Sequence, residues 1–320
     1  MKTNIFCPLF FGVLLISCHP QDNLIPVINN EEIQWGKVGG KIVAFDGFYA
    51  FVADGNKKQI DTILKQPTNV AYGKYSIYGS KGITYSLKTN AILYTVFTDL
   101  PKRTTVNSIQ LDGANINNIV LNPSVVLSIS SPVENSDGAK AYFTSKNSYS
   151  DPETLWLDKI KIFTFSSKLF TPYNHLDWHP KNKFLLLSLF DETQFVPPAS
   201  IYEMTVADSS FHEILKASNG TTYLSAHYSP NGNKVLFRAI VNRNEKPFTI
   251  CTVNRDGTNF KELIECGFES YPVWSPNGDK IAYTIRGKGI YIINADGTDN
   301  TLVFKANPNK WIGDKLVWLP

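Results

Sequence analysis

The chain has 320 residues, 43% of them hydrophobic and 18% charged, with a net charge of +3. That length can bury a large single core. The small charge, with no basic stripe, disfavours nucleic acid as a partner.

The chain opens with Lys2, an apolar run over residues 5–16, and Leu15-Ile16-Ser17-Cys18. The run is too short to span a bilayer as a mature helix, so residues 1–17 read as a secretory signal peptide. Leu-Ile-Ser-Cys also resembles the lipobox of bacterial lipoproteins. That resemblance implies that Cys18 is acylated and becomes the first residue of the mature chain; the alternative is an ordinary cleavage site beside Cys18. Two or more acyl chains give stable anchoring. Residues 18–37 then read as a tether, with a flexible stretch HPQDNLIPVINN at 19–30. Residues 38–320 read as a single domain.

Three strands follow the tether, at 40–45, 48–55 and 58–64. Beyond them the chain repeats itself. Residues 228–263 begin YSPNGNKVLF and residues 274–302 begin WSPNGDKIAY, and each goes on to an Asn-x-Asp-Gly-Thr turn. Aligning on the turn proline gives Pro132, Pro180, Pro230, Pro276 and Pro320, roughly 44–50 residues apart, a spacing expected of four-stranded propeller blades. Tyr85-Ser86-Leu87 is an earlier copy in which leucine replaces the proline. Proline pre-sets φ for a turn, and Asn-Gly and Asp-Gly supply the positive φ of tight connections between twisted strands. The strands between are apolar on both faces, as in FTICTV and GIYIIN, which suits sheets packed between sheets.

The chain ends on KLVWLP, an inner strand with no successor. The three N-terminal strands match the second to fourth strands of a unit. The reading is therefore an all-β, six-bladed β-propeller, closed by the C-terminal strand joining the N-terminal blade. Trp35 to Lys41 also aligns on Trp274 to Lys280, so a seventh, partial blade is the alternative. Closure removes free sheet edges.

The aromatic-Ser-Pro-Asn-Gly turn followed by Asn-x-Asp-Gly-Thr resembles the TolB-type propeller repeat, strongly over residues 222–304 and loosely over 72–200. In that family the ring is a protein-binding platform of the periplasmic Tol–Pal system. The same repeat forms the propellers of several peptidases and of oligogalacturonate lyases. No α/β domain precedes the ring here, so a role in the Tol system is not implied.

The chain has no Gly-x-Ser-x-Gly elbow, His-Glu-x-x-His, phosphate loop or dinucleotide fingerprint. The most suggestive cluster is His175, Asp177 and His227 on inner strands near one channel mouth. Asp177 and His227 hold equivalent places in successive units. Imidazole and carboxylate there could bind a divalent metal, and oligogalacturonate lyases are similar in placing histidines and a metal at a propeller centre. The plainer reading is that His175 and His227 hydrogen-bond between blades and that His179 is a variable turn residue. Trp178, Tyr228, Trp274 and Trp318 recur once per unit and read as blade-to-blade core. Tyr149, Trp156 and Phe195, on the longest insertions, could form a binding patch or cover a blade edge. Cys251 falls opposite a residue near Glu262 in the hairpin register, which leaves a bridge to Cys266 open.

Two functions follow. The first is a lipid-anchored, monomeric, non-catalytic binding module of the cell envelope, at the outer membrane, without a cofactor, whose partner is an envelope protein or glycan. The second is a metal-dependent polysaccharide lyase of the oligogalacturonate lyase kind, with its site at the channel mouth.

Overall fold

The computed structural model describes residues 33–45, 49–65, 75–77, 83–99, 102–119, 121, 128–145, 153–165, 171–190, 198–218, 220–241, 247–267, 270–306 and 315–320. The signal peptide, Cys18, Tyr149 and Phe195 lie outside them. Among the described residues no helix is long and apolar enough to cross a membrane.

The described strands group into six antiparallel units, five of four strands and one, the second, of five. Unit 1 joins the last strand, Lys315–Leu319, to Lys41–Phe45, Tyr49–Asp54 and Gln59–Lys65 in that order. Unit 2 occupies residues 75–119, with Tyr75–Ile77 and Ile83–Ser86 both pairing with its long second strand, Ala91–Asp99. Unit 3 occupies residues 128–164 and unit 6 residues 273–305. Unit 4 (171–215) and unit 5 (221–266) merge into one sheet through a single parallel pair, Ala199 with Thr222.

Closure is visible in the register. Lys315–Leu319 runs antiparallel to Lys41–Phe45, and Val317 pairs with Val43. The inner strands Ile83–Ser86, Ser128–Glu134, Thr171–Trp178 and Thr221–Tyr228 lie against one another in succession. Lys315–Leu319 touches both Ile83–Ser86 and Val273–Trp274. Six apolar clusters fill the gaps between consecutive units. Phe45 meets Tyr94 between units 1 and 2, Leu93 meets Tyr142 between 2 and 3, and Phe143 meets Trp178 between 3 and 4. Leu186 meets Phe237 between 4 and 5, Leu236 meets Tyr283 between 5 and 6, and Phe304 meets Leu316 between 6 and 1. Each side chain buried this way contributes roughly 1.5–3 kcal/mol, which is why the strands had to be apolar on both faces.

The turns behave as their chemistry dictates. Asp256 Oδ1 accepts the Thr258 amide and hydroxyl at 3.0 and 2.6 Å, and Asp296 treats Thr298 alike at 2.9 and 2.6 Å. Ser275 Oγ accepts the Lys280 amide at 2.9 Å, as Ser229 Oγ accepts that of Lys234. His179 fills the same position and is buried; its Nδ1 accepts the Lys181 amide at 3.1 Å. Ser86 accepts the Thr89 amide, so the copy lacking a proline keeps the serine cap.

Residues 31–36 do not supply an inner strand in their described part: Trp35–Lys37 is a single 3-10 turn. The end of the stretch read as tether packs on the ring. Ile33 and Val38 are buried beside Val273 and Trp318, and Trp35 meets Phe304 edge-on at 5.9 Å. Cys251 pairs with Glu262 in register, and both Cys251 and Cys266 are free buried thiols.

Candidate binding site at the channel mouth

The inner strands carry their turns to one face of the ring. There a cavity of about 340 Å³ is lined by Pro132, Pro180, Pro230, Pro276 and Pro320, with Leu87 in the sixth equivalent place. Every unit thus contributes its turn residue to one rim. The stiff pyrrolidine rings make that rim rigid, and contacts between neighbouring turns add to it. Asn182 Nδ2 donates to Ser136 Oγ at 2.6 Å and to Asp137 Oδ2 at 2.9 Å, and Lys88 Nζ donates to the Asp137 carbonyl at 3.3 Å. Gly232, at φ +73°, lies so close to His179 that a Cβ would come within 2.4 Å of its Nε2. Leu87 is 65% exposed, an apolar group standing in water at the rim.

Below the rim, His175, Asp177, His227 and Lys315 line the same cavity. The structure brings together the three residues singled out from sequence. Asp177 and His227 are three residues before their turn prolines, and His175 and Lys315 are five before theirs, so each pair comes from equivalent places. Lys315 was missed by sequence reading; counting five back from Pro320, as His175 is five back from Pro180, would have found it.

The contacts are mostly inter-sheet. Asp177 Oδ2 accepts the backbone amide of Tyr228, on the next inner strand, at 2.7 Å. His227 Nδ1 lies 4.0 Å from the same oxygen, too long for a hydrogen bond. The rings of His175 and His227 meet edge-to-face at 4.3 Å. His175 also hydrogen-bonds the backbone of Ala226 in a way that favours the protonated ring, so its partner there is a carbonyl and the ring nitrogen donates. Nε2 then carries the lone pair in the neutral ring, and it is buried with no hydrogen-bond partner. Leaving such an atom unsatisfied costs about 1–3 kcal/mol. His175 thus bonds across to unit 5, whereas His227 is too far from Asp177 to bond back to unit 4.

Burial decides the charges. It lowers His175 well below the usual histidine range, helped by the fields of His227, Lys315 and Arg238. It lowers His227 to about 3, with Lys315 adding to the effect. It raises Asp177 to about 7, against the opposing pull of the Tyr228 and Trp178 amides. Both imidazoles are therefore neutral at neutral pH. Farther from the mouth, the Tyr271 ring lies 4.5 Å from the Arg238 guanidinium carbon and 5.4 Å from Lys315 Nζ.

A second polar joint lies behind the mouth. Arg255 reaches across from unit 5 to Glu203 of unit 4 with two bonds of 2.7 Å, and Tyr228 Oη donates to the same carboxylate at 2.6 Å. Burial pushes the Glu203 carboxyl up, but the Arg255 and Tyr228 hydrogen bonds outweigh it and hold it below the usual range.

Trp178, Tyr228, Trp274 and Trp318 are 5–8% exposed and pack between units. Among the described residues no group of three or more His, Cys, Asp or Glu is disposed to hold a metal ion. His175, Asp177 and His227 share the cavity, but Asp177 points its oxygen at a backbone amide. Trp156 is not at the mouth; its Nε1 donates to Thr144 Oγ1 within unit 3 at 2.8 Å.

Among solved structures, TolB from Acinetobacter baumannii superimposes with a TM-score of 0.64 at 14% identity, over 87% of this chain and 66% of that one. Putative TolB from Agrobacterium tumefaciens gives 0.56 at 14% identity, over 88% and 98%. The fold is a TolB-like β-propeller. The chain spans about two thirds of the Acinetobacter protein and nearly all of the Agrobacterium one. An oligogalacturonate lyase in complex with manganese reaches a TM-score of 0.49 at 11% identity, over 82% of this chain and 73% of that one, a likeness that carries no argument about lyase chemistry. No protein-family model and no curated protein matches the sequence. A TolB-like propeller is a scaffold, and its activity must be argued from its site.

Proposed function

We propose that this TolB-like propeller is a non-catalytic binding module of the bacterial cell envelope, anchored through an acylated Cys18, that engages an envelope protein or glycan with its channel-mouth face. One observation carries the reading: every unit contributes one turn residue, five prolines and Leu87, to a rigid rim around a single cavity, while Asp177 Oδ2 is held in place by the Tyr228 amide. Such rims favour recognition by shape. The apolar leader ending in Leu-Ile-Ser-Cys supports export and anchoring.

The test uses the chain from residue 21 onward, presented to isolated envelope membranes and envelope glycans. Binding that falls at least tenfold in Leu87→Glu supports the reading. Unchanged binding in that variant, or metal-dependent release of unsaturated product from an acidic polysaccharide, overturns it; the latter result would install the lyase. Cys18→Ser in the full chain should move the protein from membranes to the soluble fraction, and retention on membranes would contradict the anchor.

A further inference from the structure

The floor of the mouth has a hydrogen-bonding character of its own. Two neutral imidazoles and one carboxyl group sit side by side in a cavity whose upper wall is mostly proline and apolar side chain. His227 and Asp177 keep 24% and 27% of their side-chain surface exposed. One His175 N–H donates to the Ala226 carbonyl, and the other ring nitrogen, Nε2, is buried without a hydrogen-bond partner. The serines at the mouth offer little, because Ser229 and Ser275 hydroxyls are occupied by Asn231, Asn277 and Asp279 in their own turns.

The floor therefore offers lone pairs at Asp177 and His175 together with N–H groups at His227 and Lys315. A carboxylate or phosphate would face the Asp177 carboxyl, and an ammonium group would stand beside Lys315. A hydroxyl group both donates and accepts and carries no charge, so it matches such a mixed floor. The volume, about 340 Å³, lies at the low end of the roughly 300–1,000 Å³ common for small-ligand pockets. We propose that the channel mouth is a receptor for a neutral, hydroxyl-bearing saccharide end, whose hydroxyls hydrogen-bond to Asp177 and the His175–His227 pair while its ring sits within the proline rim. This deepens, and rests on, the binding-module reading by choosing a neutral glycan terminus over a protein.

The test is a titration of protein labelled with ¹⁵N at histidine, using glucose, galactose, mannose, N-acetylglucosamine and galacturonate as separate probes over a millimolar series. At least one neutral sugar should shift the imidazole resonances of His175 and His227, and galactose should bind no more weakly than galacturonate. Asp177→Asn, which keeps an oxygen for the Tyr228 amide, and His227→Phe should each weaken the best sugar at least tenfold. His175→Gln, which restores an acceptor, should bind more tightly than His175→Phe. If a histidine variant fails to fold, Asp177→Asn decides alone. Absence of shifts with every neutral sugar, tighter binding of galacturonate than galactose, or binding indifferent to Asp177→Asn would each overturn the proposal. A Leu87→Glu defect on intact envelope with no sugar effect would sink this inference and leave the binding-module reading standing. Loss of both would sink both. Binding of free sugar but not of polymer would identify a small-molecule source instead of a glycan chain end.

Discussion

The seam between units 4 and 5 and the seam between units 6 and 1 are both filled by apolar clusters, but the first adds a set of polar contacts. At the first, side-chain charges and hydrogen bonds cross the gap: Asp177 to the Tyr228 amide, and Glu203 to Arg255 and the Tyr228 hydroxyl. At the second, Ile33, Ile42, Val273, Phe304, Leu316 and Trp318 make an apolar cluster. It is reinforced by the strand pairing of Lys315–Leu319 with Lys41–Phe45 and by the Lys37–Asp299 ion pair. The closing seam depends on area and joins the last described strand to Lys41–Phe45. The polar seam depends on geometry and lies under the channel mouth, where fixed positions matter more than buried area.

The largest effect should come from the closing seam. Trp318 is 7% exposed, and its Nε1 donates to the Gly39 carbonyl at 2.6 Å. Trp318→Ala should cost about 3–5 kcal/mol by chemical denaturation, and a loss below about 1 kcal/mol would mean the cluster does not hold the ring together. At the polar seam, Glu203→Ala leaves Tyr228 Oη and Arg255 without their acceptor. Because Arg255 is 32% exposed, solvent recovers part of the loss, and about 1–3 kcal/mol is expected. A double-mutant cycle with Arg255→Ala should return a coupling of roughly 0.5–3 kcal/mol; additivity would show that the pair is not an energetic joint.

Smaller still is the pH dependence of the mouth. His227 is held at about 3, below its unfolded value, so its neutral form favours the fold. That stability is full above about pH 6.5 and is lost as pH falls toward 3. Burial lowers His175 also, so it contributes with the same sign. Asp177, raised to about 7, has the opposite sign: its contribution is full below about pH 4 and is lost as pH rises through 7. With two histidines against one carboxyl, stability should rise from pH 4 to 6.5. His227→Phe should flatten that rise, and an unchanged slope in that variant would remove His227 from the account. The smallest effect belongs to the exposed hairpin turns. Asp256→Ala removes only the Thr258 contacts and should shift stability by about 0.5–1 kcal/mol; a larger loss would mean the turn is held against another unit.

Much of this was legible in the sequence because the repeat is written in turn chemistry. Pro-Asn-Gly and Asp-Gly-Thr mark residues whose φ values and side-chain caps leave few alternatives, and they fixed the order of strands in each unit. Closure was legible too, since Trp318-Leu319-Pro320 could be counted against Trp274-Ser275-Pro276 and so marks an inner strand; the Val43 to Val317 pairing follows from that count. Less legible was the stretch from Ile33 to Val38. Its Trp-Gly-Lys resembles a blade, but the strand partner there is taken by Lys315–Leu319, so the chain makes a 3-10 turn and packs outside. At the mouth, equivalent positions showed that His175, Asp177 and His227 converge. The choice between ligand and joint was not legible, because it depends on which way an oxygen points, and the Tyr228 amide is invisible in side-chain patterns. Lys315 was hidden by its place at a chain end, where the repeat has no downstream copy to draw attention to it.

The account depends most on the last strand zipping the ring shut, since that pairing brings Lys315 to the mouth beside His175. Hydrogen–deuterium exchange tests it directly. Amides of residues 315–319 and 41–45 should be protected to the same degree and lose protection together in Trp318→Ala. Rapid exchange across 315–319 while 41–45 stays protected would contradict the closed ring.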